Sequence, residues 1–250
     1  MKLKNKVVVV TGGVRDIGRA VSLDLATHGA KLAINYFGSE DQAQSLSQEL
    51  KNNNIDAFIL KGDMTKQEDV AALVKKTISH YGNEIHGLVN ISGGLVQRKK
   101  IDEMDESFLN QVVQLNFNST FLATKQVLPY MKEGSSIVNF ASQAGRDGGG
   151  PGASAYAASK GAVMTFTRSM AKELGQQGIR VNSLCPGMIT TAFHDTFTKD
   201  EVRSNVANAT PLKREGRPDE MATTVSFLLS DESSFLTGVN LDTNGGLVFS

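Results

Sequence analysis

The stretch Val7-Val8-Val9-Val10-Thr11-Gly12-Gly13-Val14-Arg15-Asp16-Ile17-Gly18 passes from a β-branched run directly into a glycine-rich turn. Four consecutive valines are typical of a strand that is buried on both faces of a parallel sheet. Glycines at a strand-to-helix turn let backbone amides and the positive end of a helix approach a phosphate group closely. An ordinary glycine-rich turn has the same composition, but a position between a buried strand and a helix favours nucleotide binding.

Strand-like and helix-like segments alternate through the rest of the chain. Apolar spacing with Gly29 as a stop predicts a helix over about 17–28, and a second strand follows over 31–35. Further strands are expected over 57–60, 87–91, 137–141, 180–184 and 239–242. Helices are expected over 39–50 (with a capping box of Ser39 and Gln42), 65–81, about 106–131, 155–174 and 219–229. This alternation predicts an α/β fold, a Rossmann-like doubly wound parallel sheet of about seven strands flanked by helices on both faces.

Composition and charge narrow the functional classes. No linker or charge block divides the 250 residues, so a single domain over 1–250 is expected. Lys plus Arg and Asp plus Glu both number 26, and the basic residues are scattered, so neither nucleic acid nor a membrane surface is expected as a partner. The apolar run over 7–10 is too short for a signal peptide or a membrane span.

The cysteine and histidine content bears on the compartment and on metals. Cys185 is the only cysteine, so the chain forms no internal disulfide, and a reducing, cytoplasmic location is expected. The four histidines lack the spacing of metal ligands, so no metal site is expected.

The carboxyl ends of the strands are where such a sheet binds its ligand. The second strand runs into Asn35-Tyr36-Phe37-Gly38-Ser39, which lacks the acidic residue that would bind the ribose 2′-hydroxyl of NAD. Because Arg15 is available to meet a 2′-phosphate, the sequence favours NADP(H) and leaves NAD(H) open. At the third strand end, Asp63 either accepts from an adenine amino group or caps the helix that follows.

Tyr156-Ala157-Ala158-Ser159-Lys160 is a candidate proton donor. On a helix, residues four apart lie on one face, and a fixed positive charge near a phenol favours the phenolate. The same spacing occurs by chance as a solvated pair. Upstream, Ser142 opens the glycine-rich stretch 143–152 and either polarises a substrate carbonyl or caps the loop.

The ordered set of motifs resembles the short-chain dehydrogenase/reductase family over essentially the whole chain. The motifs that carry the resemblance are Gly12 and Gly18, Asn90, Asn116, Ser142, Tyr156-x-x-x-Lys160, Pro186-Gly187, Thr237-Gly238 and Gly245-Gly246. The resemblance implies a nicotinamide cofactor, hydride transfer at a carbonyl carbon, and a tetramer. It also implies the catalytic roles: Tyr156 as general acid/base, Ser142 holding the substrate oxygen, Lys160 lowering the tyrosine pKa, and Asn116 kinking its helix and holding a relay water.

The resemblance also implies a cofactor-binding set. Its members are expected to be Gly12, Arg15, Asp16, Ile17, Gly18, Tyr36, Asp63, Met64, Asn90, Tyr156, Lys160, Pro186, Gly187, Ile189 and Thr191. The sequence departs from the family pattern at three positions: Asp16 replaces a turn glycine, Ile91 an asparagine, and Asn244 an aspartate. The first departure raises the question of how the cofactor is bound, and the other two read as packing changes.

Substrate specificity is expected from two segments, 94–100 and the lid-like 188–208. Arg98, Arg146 and His194 flank the expected crevice and suggest an anionic substrate, although each also reads as a solvated surface charge. The chain resembles both reductases of sugar acids, such as the keto-uronate 4-deoxy-5-hexoseulose uronate, and 3-oxoacyl-[acyl-carrier-protein] reductases. The short polar side chains of the lid favour the sugar acid. A non-catalytic nucleotide sensor or interaction protein, suggested by Asp16, is the alternative of another class.

Overall fold

Seven strands build one sheet in the computed structural model, which describes residues 2–249. The strands are β1 (Val7–Thr11), β2 (Lys31–Tyr36), β3 (Ala57–Lys61), β4 (Gly87–Asn90), β5 (Ser136–Phe140), β6 (Arg180–Pro186) and β7 (Asn240–Thr243). All pairs are parallel, and the order is β3-β2-β1-β4-β5-β6-β7. The chain builds outward from β1 to β3, then returns to the other side of β1 with β4. The predicted doubly wound sheet is confirmed.

Helices cover both faces of the sheet. They are α1 (Asp16–Thr27), α2 (Glu40–Asn52), α3 (Gln67–Tyr81), α4 (Glu106–Val113), α5 (Ser119–Val127), α6 (Ala144–Asp147), α7 (Ser154–Leu174), α8 (Ala192–Phe197), α9 (Asp200–Ala209) and α10 (Pro218–Leu229). All five residues of β1 are buried. Val8 and Val10 pack into one apolar cluster with α1, α2 and α10, whereas Val9 packs into the other with α3, α5 and α7. The valine run is therefore apolar throughout because both faces of its strand are covered.

Three local predictions need correction. Ser39 is the N-cap of α2, but its side chain makes no capping hydrogen bond, so the predicted capping box does not form. The helix expected over about 106–131 is broken by a π-helical turn over Gln114–Asn118, which separates α4 from α5. The lid-like segment 188–208 is largely helical, since it contains α8 and most of α9.

Candidate active site

A cleft of about 1050 Å³ opens at the carboxyl ends of the strands, where the strand order reverses between β1 and β4. Its walls come from the turn after β1, the ends of β2 and β3, the loops after β4 and β5, the start of α7, and the segment after β6. This is the position at which doubly wound sheets bind ligands. Most of the predicted cofactor residues and the predicted proton donor, Tyr156, line this one cleft.

The glycine-rich turn at one end of the cleft lets a ligand phosphate approach its backbone closely. A Cβ atom on Gly18 would lie 2.0 Å from the Gly12 carbonyl oxygen, so no side chain fits there. Asn35 supports the turn from the end of β2, because its Oδ1 accepts from the Gly12 amide at 3.3 Å and its Nδ2 donates to the Gly62 carbonyl at 2.8 Å. Sequence reasoning missed this role of Asn35, whose only signal was an amide at the end of an otherwise apolar strand.

Asp16, which replaces a turn glycine of the family pattern, fits the turn without disrupting it. Its backbone φ is +48°, a left-handed conformation that glycine adopts freely and that Asp tolerates better than most residues. One carboxylate oxygen accepts from the Ala192 amide at 3.1 Å, and the other lies 3.5 Å from Nη1 of Arg15. The side chain therefore links the turn to the segment that follows β6.

The opposite end of the nucleotide half of the cleft is formed by Tyr36, Asp63 and Met64. Asp63 Oδ1 accepts from both the amide (2.9 Å) and the hydroxyl (2.7 Å) of Thr65, so it closes a turn before α3. Helix α3 begins later than predicted, with Lys66 as its N-cap, so Asp63 does not cap the helix itself. The residue still lines the cleft.

Ser142, Tyr156 and Lys160 line the other half of the cleft, as the catalytic prediction requires. Tyr156 and Lys160 lie one turn apart on α7, and the Lys160 Nζ sits 5.8 Å from the centre of the Tyr156 ring. Lys160 is buried, and its ammonium donates to the Phe140 carbonyl at the end of β5 at 2.6 Å. The Ser142 hydroxyl accepts from the Ala144 amide at 3.1 Å, so this serine caps its loop and also faces the cleft.

The electrostatics of this group differ from the sequence prediction. Burial raises the pKa of Tyr156 above its usual range, and hydrogen bonding with Ser142 opposes that rise. Burial lowers the pKa of Lys160 to about 8. Burial of the phenol therefore sets the direction of the Tyr156 pKa, opposite to the lowering that the family resemblance assigns to Lys160.

Asn116 holds the loop that follows β4 from behind the cleft. It is fully buried in the π-helical turn, and its Nδ2 donates to the Val112 carbonyl at 2.9 Å and to the Gly94 carbonyl at 2.8 Å. Its Oδ1 accepts from the Gly94 amide at 2.9 Å. The π-helical turn interrupts the regular helix at this residue, and the amide positions the Gly93–Gly94 backbone beside Lys160. The relay water stays a prediction.

Two further predicted site residues, like Asn116, do not line the cleft. Asn90 is buried and donates to Asn139 Oδ1 at 2.9 Å, so its side chain packs under the sheet edge instead of reaching a ribose. Arg146 pairs with Asp242 at 2.6 Å, and both side chains are only 15% exposed. This pair ties α6 to β7 and leaves Arg146 with no free charge for a substrate, which corrects the sequence prediction.

Arg98 and His194 do line the cleft, where each is hydrogen-bonded to the segment around α8. Arg98 donates to the carbonyls of Phe197 and Pro151, both at 3.0 Å. The His194 ring lies 3.1 Å from the Thr198 hydroxyl, and burial lowers its pKa, which disfavours the charged imidazole. Both side chains therefore organise the lid.

The substrate half of the cleft has an apolar wall, four of whose residues lie in the two segments expected to set specificity. The wall consists of Leu95, Phe193, Val202, Val206, Leu247 and Val248. The sequence analysis missed Gln143: it lines the cleft, and its buried Oε1 has no hydrogen-bond partner in the described chain. These residues come from four separate parts of the chain, so only the fold reveals them as one surface.

A nicotinamide dinucleotide fits the donor set of this cleft. The side-chain-free turn at Gly12 and Gly18 leaves room for phosphates at the N-terminus of α1, and Asp63 offers an acceptor for a base. Of the other predicted cofactor residues, Ile17, Pro186, Gly187, Ile189 and Thr191 also line the cleft. Within residues 2–249 no His, Cys, Asp and Glu cluster suits a metal ion. None of the described helices is long and apolar enough to cross a membrane.

Comparisons with known proteins agree with this geometry. A family model described as enoyl-(acyl carrier protein) reductase matches residues 12–248. The 3-oxoacyl-[acyl-carrier-protein] reductase FabG of Staphylococcus epidermidis is 33% identical over 245 residues, which cover 97% of this chain and 99% of that protein.

Solved structures are similar over nearly the whole chain. A short-chain dehydrogenase/reductase from Serratia marcescens superposes with a TM-score of 0.93 at 28% identity, covering 99% of each chain. An NADH-dependent reductase responsible for alginate metabolism, A1-R′, superposes with a TM-score of 0.90 at 30% identity, again covering 99% of each chain. With its fold, its cleft and its Ser142, Tyr156 and Lys160 arrangement, the chain belongs to the short-chain dehydrogenase/reductase family of oxidoreductases.

Proposed function

We propose that this chain is an NADPH-dependent reductase that converts a carbonyl with an apolar substituent into an alcohol, with 3-oxoacyl thioesters as the leading substrate class. The observation that carries the proposal is the meeting of Ser142, Tyr156 and Lys160 with an apolar wall in one cleft. The FabG relative supports the choice of thioester. This revises the sequence-based preference for a sugar acid.

The residues that face the reacting carbonyl have distinct roles. Ser142 and Tyr156 donate hydrogen bonds to the carbonyl oxygen, and Tyr156 delivers the proton as negative charge develops there. The Lys160 ammonium then stabilises the phenolate that remains, and Asn116 fixes the neighbouring backbone through Gly94. A bound nicotinamide supplies the hydride. A raised tyrosine pKa suits this direction, because the acid must hold its proton until the oxygen becomes basic.

The preference for NADPH rests on the charges at the end of β2. Tyr36 and Ser39 line this part of the cleft, and Arg15 lines it with a side chain that is 58% exposed. Glu40, the acidic residue that follows, is paired with Lys61 instead of facing a ribose. A ribose 2′-phosphate would therefore meet Arg15 and no competing carboxylate from this strand end.

The apolar wall supports the thioester over the keto-uronate as substrate. A keto-uronate carries a carboxylate and several hydroxyls, which need charged or polar partners when they leave water. Arg146 is neutralised by Asp242, and Arg98 keeps its charge but uses two of its N–H groups on backbone carbonyls, so the two arginines are only partly available to an acid. The keto-uronate stays as the second candidate because of the structural likeness to the reductase of alginate metabolism.

A panel of carbonyl substrates tests the proposal. NADPH and NADH oxidation would be followed by absorbance with acetoacetyl thioesters, a longer 3-oxoacyl thioester and 4-deoxy-5-hexoseulose uronate. We expect the highest kcat/KM with NADPH and a thioester, and a gain of about 0.8 kcal/mol in binding for each added buried CH₂ group. Turnover of the keto-uronate alone would reverse the substrate assignment.

Calorimetry together with the substrate panel separates the enzyme from the nucleotide-sensor alternative. A reductase binds NADPH and consumes it with a carbonyl substrate, whereas a sensor binds it and turns over none of the panel. We further propose that the enzyme is cytoplasmic and forms a homotetramer, as the family resemblance implies.

A further inference from the structure

Asp16 occupies a backbone conformation that other residues avoid. Its φ of +48° places it in the left-handed region, where Asp and Asn are the non-glycine residues best tolerated. Asp16 is also the first residue of α1, so its carboxylate lies beside a positive helix end. A phosphate group would seek the same helix end.

The carboxylate also reaches the lid helix α8 (Ala192–Phe197). Its Oδ1 accepts from the amide of Ala192, the first residue of that helix, at 3.1 Å. At the other end of the helix, Arg98 Nε donates to the Phe197 carbonyl at 3.0 Å. A negative side chain at the N-terminus and a positive one at the C-terminus both match the helix dipole. The lid helix is therefore held at both ends, by Asp16 from the turn after β1 and by Arg98 from the loop after β4.

We propose that Asp16 is a positioning residue that fastens the lid helix before the dinucleotide binds, and that its charge weakens the adjoining phosphate site. The proposal rests on the proposed function, since it states that the Asp16 carboxylate weakens dinucleotide binding while it holds the substrate lid in place. The neighbouring Arg15 offsets the charge only in part, because it lies 3.5 Å away and is 58% exposed to solvent.

Two substitutions separate the hydrogen bond from the charge. Asp16→Asn keeps a side-chain oxygen that can accept from Ala192 and removes the negative charge. Asp16→Gly removes both and suits the left-handed backbone, so it should fold. Glu106→Gln is the control, because Glu106 is likewise the first residue of a helix and is exposed outside the cleft.

The first readout is hydrogen exchange of the amides 192–197 in the protein without ligand, measured by mass spectrometry. We expect Asp16→Gly to raise their exchange by about 10-fold, Asp16→Asn to raise it less, and Glu106→Gln to leave it unchanged. Unchanged exchange in Asp16→Gly would show that the lid does not depend on Asp16 and would overturn the positioning role.

The second readout is the Kd of NADPH and of NADH by calorimetry. Because both share the pyrophosphate, we expect Asp16→Asn to bind each about 5-fold more tightly than the wild type. An equal or weaker affinity in Asp16→Asn would overturn the charge effect. The exchange measurement needs neither cofactor nor turnover, so it tests the lid contact even if the protein reduces no carbonyl. Absence of dinucleotide binding would instead remove the proposed function and the affinity half of the inference.

Discussion

Gly93 shows at the scale of one residue how closely the catalytic group is packed. A Cβ atom added there would lie 2.8 Å from Asn116 Oδ1 and 3.1 Å from Lys160 Nζ. Since Lys160 is buried and held by the Phe140 carbonyl, it has little room to move aside.

We therefore expect Gly93→Ala to lower kcat by about 10-fold or more by displacing the ammonium or the amide. Gly94→Ala is the matched control, because its added Cβ meets only Leu115 Cδ2 at an ordinary 3.7 Å. Steady-state kinetics on both variants, with melting temperatures to check folding, would measure the difference. Equal activities would contradict the packing argument.

The pKa of Lys160 predicts how activity changes with pH. Burial lowers it from 10.5 to about 8, so the ammonium loses its proton in an accessible range, whereas the raised pKa of Tyr156 keeps the phenol protonated there. Lys160 is charged below its pKa, and above it the neutral amine no longer stabilises the Tyr156 phenolate. Reductive kcat/KM should therefore fall as pH rises through about 8. If kcat/KM stays constant well above this pH, the charge of Lys160 has no role in the reaction.

Tyr156→Phe tests the proton donor. Removing the hydroxyl leaves the ring in place, so the variant should fold and bind NADPH with nearly the wild-type Kd. We expect kcat to fall by about 10²–10⁴-fold, the usual contribution of general acid catalysis. Calorimetry and steady-state kinetics measure the two quantities separately, and wild-type turnover in this variant would refute the proposed mechanism.

At the scale of elements, α8 owes its position to side chains from other parts of the chain. Arg98 connects it to Pro151 as well, because its Nη1 donates to that carbonyl at 3.0 Å. We expect Arg98→Ala to raise the substrate KM by about 5-fold or more, with a smaller effect on kcat, because the lid closes less well.

Limited trypsin cleavage at Lys199, which follows α8, should also be faster in Arg98→Ala. Lys100→Ala is the control, since it removes a neighbouring exposed charge that touches neither carbonyl. If KM and cleavage in Arg98→Ala match those of the control, the lid does not depend on Arg98.

The sequence predicts the strands and long helices well because their apolar periodicity is local. Val7–Thr11 is buried and consists entirely of β-branched residues, and α7 begins within one residue of the prediction. The short α6 and α8 escape such an analysis, since helices of four and six residues depend on tertiary contacts. Arg146 was misplaced for the same reason: its partner Asp242 is distant in sequence and near only in the fold.

At the scale of the whole molecule, an exposed aromatic face on α5 and α7 suits subunit contact. Phe121 is 41% exposed and its ring lies 6.3 Å from that of Phe166, which also packs on Phe117 at 5.7 Å. We expect Phe121→Glu to dissociate the proposed tetramer and Phe121→Leu to preserve it, because burial of a carboxylate in an apolar contact is unfavourable. Light scattering after size-exclusion chromatography would measure both, and an unchanged mass in Phe121→Glu would exclude this face.

Transfer of deuterium from labelled NADPH tests the central claim most directly. The wild-type enzyme would receive a 3-oxoacyl thioester and NADPH with deuterium at each C4 position of the nicotinamide in turn, and the product would be analysed by mass spectrometry. One of the two labelled cofactors should place a single deuterium on the former carbonyl carbon, and Tyr156→Phe should form almost no labelled alcohol while still binding NADPH. Alcohol without label, or equal labelled product from Tyr156→Phe, would contradict the account.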